Sequence, residues 1–346
     1  MRIGVIGAGA VGGTIAALLD RAGHVVEVTA RGERVSVIAA TGITLSGGWG
    51  DHLARVGVGE TLGDGLQLVF LTTKAADAAA ALEANAHALE GVPVVVVQNG
   101  LTGLATAAES APRSPLIGAL AMFAASHLEP GKVTVTTANS IYVGGDDATA
   151  VELAASTLRD VVPTFVTNDF RGAQWSKIIV NQVNALPAIT GLSVQETISH
   201  RGLRIVLTRS IREAVRVGKA SGVRFARMSA LSHPLLSVFA VLPLWLGQLL
   251  PLVMKWRFGP VPNPGSTLQS IRRGQKTEID YMHGAVVDAA AEVGMEAPVN
   301  ATLTRLVHAV ENTAPAGPPE FFTPDAVVAE VAAANSSVER KNPLVE

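Results

Sequence analysis

The sequence predicts an α/β chain in which a doubly wound, largely parallel sheet comes first and a mostly α-helical C-terminal domain follows. Three observations predict it. An apolar strand at the very start runs into Gly7-Ala-Gly-Ala-Val-Gly12 and then a helical repeat; apolar strands alternate with helical segments to about Thr167; and from about Arg171 onward the period of two gives way to one near 3.6. With 346 residues the chain exceeds what one ordinary core serves, so two domains are expected, at 1–170 and 171–335, with a frayed tail over 336–346.

Ile3 to Ile6 reads as the first strand, Val11 to Leu19 as the first helix and Val25 to Thr29 as the second strand. Between strand and helix, Gly7 permits the tight turn, Gly9 lets backbone approach a phosphate without a Cβ, and Gly12 lets the helix pack closely. Gly7, Ala8, Gly9, Ala10, Val11 and Gly12 are therefore the candidate pyrophosphate cradle of a Rossmann-type domain. Leu68 to Thr72 reads as the next strand and Ala75 to Leu89 as a helix. Val94 to Val97 has the uninterrupted apolar character of a strand buried on both faces, and it closes on Gln98-Asn99-Gly100. Lys132 to Thr136 and Ser140 to Val143 alternate as β segments and are expected to add antiparallel strands to the sheet; a helix over Ala150 to Arg159 and a strand near Thr164 to Thr167 complete it. The second domain reads as helices over Trp175 to Ala188, Leu203 to Ser221, Thr267 to Val293 and Ala301 to Glu311. Pro315, Pro318 and Pro319 then mark a loop before a short helix, Pro324 to Ala334.

Composition narrows the function classes. A formal net charge of -2 and the absence of a basic stripe with interleaved aromatics argue against nucleic acid as a partner. Zero cysteines exclude disulfides, thiolate catalysis and cysteine-ligated metals. That fits a reducing compartment, and the start of the chain has no signal-peptide layout, so a cytoplasmic location is expected. His127, His233 and His283 lack metal-ligand spacing and are expected to be structural.

The residues after the second strand choose the dinucleotide. An NAD enzyme usually places an acid there for the ribose 2′-hydroxyl; this chain reads Thr29-Ala-Arg31-Gly-Glu33-Arg34. The planar fork of Arg31 matches a 2′-phosphate, which favours NADP; the other reading is a solvated loop charge with Glu33 turned to a ribose. Ligands of such sheets sit beyond the carboxyl ends of the strands, which singles out Lys74 and Asn99. Lys74 either meets cofactor phosphate or ribose or is a solvated helix-start lysine. Asn99 serves the nicotinamide ribose, the substrate, or the Asn-Gly turn in which it lies.

The helical half supplies the candidate acid. Lys177 and Asn181 are four residues apart and share a helical face, with Asn184 one turn beyond, among Ile178, Ile179, Val180 and Val183. A lysine on so apolar a helix either snorkels outward or is kept in a cleft. The two asparagines make a polar stripe suited to a small oxygen-rich substrate, and a partly desolvated ammonium can donate a proton near neutral pH. Later in the chain Ser266 is placed to cap a helix, and Glu278 in Thr277-Glu-Ile-Asp280 is expected to face a cleft.

These motifs in order, the N-terminal glycines, an arginine after the second strand, Gln98-Asn-Gly100, Lys177-x-x-x-Asn181, and Ser266 followed twelve positions later by Glu278, resemble ketopantoate reductase over nearly the whole chain, from Met1 to about Glu311. The resemblance implies an NADPH-dependent reduction of 2-dehydropantoate to pantoate, in pantothenate and coenzyme A biosynthesis. It implies Lys177 as general acid, Asn181 and Ser266 as substrate-holding groups, and Glu278 beside the cofactor and the reacting carbon. The residue chemistry fits: hydride arriving at a ketone carbon leaves charge on oxygen, which an ammonium both stabilises and protonates. Asn181, Asn184, Gln195 and Ser266 offer hydrogen bonds to a carboxylate and a hydroxyl, and domain closure would exclude water.

Three departures from the family pattern bear on substrate choice. Ala185 stands where the family often has a second asparagine, and Ser270 where it commonly has Asp. The third is an apolar insertion over 231–260, with its core at Leu235 to Met254. It approaches the length of a membrane span, but Pro243, Gly247, Gln248 and Pro251 spoil a regular helix, so a buried or cleft-covering helical pair is expected. Three roles stay open for it: a core or homodimer-interface element, an apolar wall for a bulkier substrate, or interfacial membrane attachment through the Trp245 and Trp256 ends. The alternatives for function are accordingly a paralogue acting on a larger, more hydrophobic 2-oxo compound and a non-catalytic NADP-binding regulatory protein.

Overall fold

A computed structural model describes residues 1–228, 231–259, 261–313 and 317–341. Pro315, residue 260 at the end of the expected insertion, and residues 342–346 of the expected tail lie outside the described residues. The chain forms two compact units, Met1–Ala173 and Gln174–Glu346.

The first unit is built on twelve strands: β1 (Arg2–Ile6), β2 (Val25–Thr29), β3 (Ile43–Gly47), β4 (His52–Ala54), β5 (Gly57–Gly59), β6 (Leu68–Leu71), β7 (Val94–Val97), β8 (Leu116–Ala121), β9 (Ala124–Glu129), β10 (Lys132–Thr137), β11 (Ile141–Gly144) and β12 (Thr164–Val166). Eight of them make one sheet in the order β12-β11-β8-β7-β6-β1-β2-β5. All neighbours in it are parallel except β11 and β8. β6 and β7 are buried at every residue, as an all-apolar strand with both faces covered must be. Chain order reverses beside β1, which has β2 on one side and β6 on the other, and this is the switch point at which such sheets take ligands.

The remaining strands correct the sequence reading. Lys132–Thr137 does not join the main sheet; it pairs with β3 and β9 in a separate four-stranded sheet, β4-β3-β10-β9. That sheet lies on the first helix, Ala10–Arg21, where Val133 Cγ1 would stand 2.8 Å from a Cβ at Gly13. The helix is buried from Gly12 through Leu19, all the way round, so it needs a second apolar layer outside it. One break and one helix start have local causes. The expected helix over Ala75 to Leu89 is interrupted at Asn85, whose buried amide accepts from Leu62 N and donates to Ala81 O. Asp147 caps the Ala148–Arg159 helix through Ala150 N, a contact worth about 1 kcal/mol.

The second unit is helical apart from one isolated bridge, Met228 to Leu231, among its described residues. Its longest helix, Arg201–Ala220, buries Leu203, Val206, Leu207, Ile211, Ala214 and Val215, spaced three and four apart as a core-facing stripe requires. The Phe170–Asn181 helix does not run on to Ala188. It passes through a 3-10 turn, Gln182–Asn184, before a new helix at Ala185–Thr190. Pro187 explains the restart, because it has no N–H to offer and is tolerated only in a first turn. Likewise the run from Thr267 to Val293 divides into Gly265–Arg272 and Ala285–Glu292, the second entered through a wide turn, Asp280–Gly284, after a loop turned by Gly274 at φ +62°.

The apolar insertion is not a pair of helices, and it is buried on only one side. It forms three short helices, His233–Phe239, Leu244–Gly247 and Leu249–Phe258, and leaves large apolar side chains in solvent. Among the described residues no helix is long and apolar enough to cross a membrane.

Candidate active site

In the first unit, strand register gathers the candidate dinucleotide-binding residues. Ile6 lies beside Thr29 and Leu71, and Leu71 beside Val96, so Gly7, Ala30 with Arg31, Thr72 to Lys74, and Gln98 with Asn99 all emerge at one edge of the sheet. Gly7 turns at φ +103°, and its carbonyl accepts from Thr72 Oγ1 at 2.8 Å while its N–H donates to Thr29 Oγ1 at 3.0 Å. A Cβ at Gly12 would stand 2.1 Å from Gly7 O and 2.2 Å from Thr72 Oγ1, so helix and turn meet with no room for a side chain. Gly9 is the opposite case. It begins the Ala10–Arg21 helix with no side chain capping it, and a Cβ there would meet nothing within 4 Å. The first-turn N–H groups thus lack a side-chain cap beside open space, the arrangement that receives an anion.

Around this cradle stand Arg31 and Arg34, both exposed after β2, and the half-buried Lys74 and Asn99 after β6 and β7. Lys74 precedes a short 3-10 turn, Ala75–Asp77, and Asn99 sits beside Gly100 at φ +92°. Two residues the sequence reading passed over lie between them. Gln98 is buried and spends its Nε2 on Thr73 O at 3.0 Å, leaving Gln98 Oε1 and Thr73 Oγ1 buried without hydrogen-bond partners. Unpartnered buried oxygens cost about 1–3 kcal/mol each, and a polar ligand at this strand edge would relieve that cost. Residues and space together fit a dinucleotide. Their positions directly after strand ends were the available signal, the same one that singled out Lys74 and Asn99.

A second set of candidate residues lies in the helical unit. Lys177 is half-buried; loss of hydration pushes its ammonium pKa down to about 8, against the pull of the nearby Glu278 carboxylate. Asn181, one turn on, is also half-buried, while Asn184 is nearly buried in the 3-10 turn. The start of the Gly265–Arg272 helix packs onto that turn: a Cβ at Gly265 would lie 2.7 Å from Asn184 Oδ1, and Gly265 itself holds φ +71°. This places the residue just before Ser266 against Asn184. Ser266 is not the helix cap, however. The helix starts one residue earlier, with Asn263 Oδ1 accepting from Gly265 N at 2.8 Å, which leaves the Ser266 side chain exposed. Ala185 is fully buried, so it presents no substitute for the asparagine it replaces.

Gln195 also departs from expectation. Its Nε2 donates to Val261 O at 2.7 Å and Gly259 O at 3.2 Å, and its Oε1 accepts from Asn263 N at 2.9 Å. Its amide is spent on the loop that leads into Ser266, so it shapes the frame of the site instead of offering itself to a substrate. His283 is a core residue, fully buried, with its pKa pushed down to about 3 by loss of hydration. Among the described residues no group of three or more His, Cys, Asp or Glu could hold a metal ion.

Glu278 is held from both sides. Thr277 N donates to Glu311, whose other oxygen lies 2.9 Å from His308 Nδ1, and His308 Nε2 lies 2.8 Å from Asp280. Burial works against a charged imidazole, but hydrogen bonds and charge from Asp280 and Glu311 outweigh it and raise the His308 pKa. A histidine with a raised folded-state pKa contributes stability fully present below its unfolded value near 6.5 and lost as pH rises through the folded value. The stability difference between wild type and His308→Gln, measured by urea unfolding, should therefore be greatest below pH 6 and shrink toward zero in mildly alkaline buffer. A difference independent of pH would assign the clasp no charge.

The fold and the residues at its strand ends define a dinucleotide-dependent oxidoreductase. Known proteins agree with that class. The family model described as ketopantoate reductase PanE/ApbA matches residues 3–147, and its companion, ketopantoate reductase PanE/ApbA C terminal, matches residues 169–311. The chain belongs to the ketopantoate reductase family. It is 27% identical over 317 residues to 2-dehydropantoate 2-reductase of Pyrococcus horikoshii, covering 90% of this chain and 98% of that one. Among solved structures, the PanE/ApbA family ketopantoate reductase from Ralstonia eutropha JMP134 superposes with a TM-score of 0.77 at 27% identity, over 91% of this chain and all of that one. D-mandelate dehydrogenase, solved with NADH and anilino(oxo)acetate, shares the fold at a TM-score of 0.77 and 20% identity, with 91% of this chain and 100% of that one covered.

Proposed function

We propose that this enzyme reduces a branched 2-oxo acid to the 2-hydroxy acid with NADPH, 2-dehydropantoate to pantoate being the best match, and that Lys177 is the general acid. The observation that carries the reading is the half-buried ammonium of Lys177, softened to a pKa of about 8, on the same helical unit as Asn181, Asn184, Ser266 and Glu278. The bound dinucleotide supplies hydride to the carbonyl carbon. Lys177 hydrogen-bonds the carbonyl oxygen, stabilises the charge that develops there and gives up its proton to it. Asn181 and Ser266 hold the carboxylate and hydroxyl of the substrate, with Asn184 backing Ser266. Glu278 keeps Lys177 protonated near neutral pH by its charge. Gly7 to Gly12, Lys74 and Asn99 hold the dinucleotide, and Glu278 stands beside it. We place the protein in the cytoplasm, as a single domain pair divided near residue 170 or as a homodimer of such pairs.

Arg31 carries the cofactor choice. It stands exposed at the carboxyl end of β2, where the 2′-position of the adenosine ribose falls in this fold, and no acid stands at that end before Glu33. The test is NADPH and NADH oxidation across a panel of 2-oxo acids, with wild type and Arg31→Ala. We expect turnover of branched 2-oxo acids with NADPH preferred, and a loss of affinity confined to NADPH in the variant, about tenfold or more for removal of a charge-assisted phosphate contact. Equal weakening of both cofactors would remove Arg31 from phosphate recognition, and no turnover of any 2-oxo acid would remove the catalytic reading.

A further inference from the structure

The apolar insertion is a second surface, separate in chemistry from the site above. Val241, Trp245 and Trp256 are 76%, 69% and 82% exposed, and Leu249 and Val253 are exposed beside them. Single exposed apolar residues need no explanation; six within sixteen positions, Leu252 included and two of them tryptophan, do. The segment is firmly seated on its inner side. Arg212 donates to Leu242 O and stacks over Phe239 at 5.8 Å, Arg204 Nε donates to Gln248 Oε1 at 3.2 Å, and Leu236, Phe239 and Pro251 are buried. The outward apolar face is thus a designed feature of a held segment, not a frayed one.

Charge identifies what covers it. Between Glu213 and Glu278 the chain has nine Lys and Arg and no Asp or Glu, although the whole protein is slightly acidic. Lys255 and Arg257 lie in the last turn of the third of these helices, on either side of Trp256 in sequence, and Arg216, Lys219, Arg224 and Arg227 are exposed on the preceding segments. A second copy of the chain is a poor occupant. A two-fold contact would set this cationic segment against itself with no acid in it to compensate. The longest of the three helices has ten residues, about 15 Å, half the thickness of a bilayer core, so the segment lies in a surface and does not cross it. Tryptophan at the boundary, aliphatic side chains outward and a basic surround are the properties of an element that rests on anionic lipid.

From this placement we infer that the face formed by residues 235–257 docks the enzyme on an anionic phospholipid surface. The test uses the full chain with vesicles of phosphatidylcholine alone and of phosphatidylcholine with phosphatidylglycerol, read by co-sedimentation and by tryptophan emission. Binding should require phosphatidylglycerol, weaken with salt and shift emission to the blue. The Lys255→Gln/Arg257→Gln variant should lose roughly thirtyfold in vesicle affinity. Trp245→Ser/Trp256→Ser should lose both binding and blue shift, with circular dichroism and 2-oxo acid reduction in solution unchanged. Failure to bind the mixed vesicles, equal binding to phosphatidylcholine alone, or a dimer in sedimentation that the tryptophan variant dissociates would each overturn the assignment. The vesicle-binding, emission and sedimentation readouts depend neither on the substrate nor on Lys177.

Discussion

Lys177→Ala should lower turnover roughly 10²- to 10⁴-fold and leave dinucleotide affinity unchanged, because the lost group acts on the carbonyl oxygen and not on the nucleotide. The pH dependence makes the assignment specific. The proton donor is the ammonium form, and burial brings its pKa to about 8, so kcat/KM for reduction should fall as pH rises through that value. Oxidation of the 2-hydroxy acid needs the free amine and should rise over the same range. Glu278 opposes the effect of burial by its negative charge, so Glu278→Gln should move both limbs to lower pH. A mutation that merely loosened the site would lower the rate without displacing the limbs. Steady-state profiles in both directions between pH 6 and 10 decide it, and a Lys177→Ala enzyme that keeps wild-type turnover removes the residue from the chemistry.

Much of this site is legible in the chain because its parts are local. A glycine at each of three fixed offsets after an apolar strand and a lysine four residues before an asparagine are patterns a reader finds without knowing the fold. What escapes are contacts that depend on distant pairing. Gln98 and Thr73 follow two different strands, and only the parallel register of β6 and β7 brings the Gln98 amide onto the Thr73 carbonyl. The second sheet escapes for a similar reason: β10 pairs with β3, nearly ninety residues earlier, so its alternation reads as one more strand of the main sheet. A clue was present in the first helix, where Ile15 to Leu19 is apolar on every face and so must be covered on both sides. Gln195 and Ser266 show a subtler limit. Residue type indicated that both could hydrogen-bond, but which one keeps its side chain available is set by residues 261–265, where Gln195 is spent on backbone and Asn263 takes the turn that Ser266 was expected to make.

Two glycines of the N-terminal turn should both lose nucleotide binding on change to alanine but differ in stability, and the contrast tests the dinucleotide cradle more sharply than either change alone. At Gly12 the new methyl would sit 2.1 Å from the Gly7 carbonyl oxygen and 2.2 Å from Thr72 Oγ1, distances that force the helix away from the turn. Such overpacking costs about 1–3 kcal/mol of stability, so Gly12→Ala should lower the thermal midpoint measurably as well as weaken nucleotide binding. If about 2.8 kcal/mol of misfit falls on the bound state, Kd rises roughly a hundredfold. At Gly9 the backbone is extended, at φ -88° and ψ -161°, which alanine adopts without strain, and the methyl would meet no protein atom within 4 Å. Gly9→Ala should therefore leave the thermal midpoint where it is. It should still impair binding, because the open space it fills is the space a phosphate takes to reach the uncapped N–H groups of the Ala10–Arg21 helix. Calorimetric titration with NADPH and thermal melts of both variants separate the two effects. A Gly9→Ala protein that binds NADPH as wild type does would show that the pyrophosphate rests elsewhere.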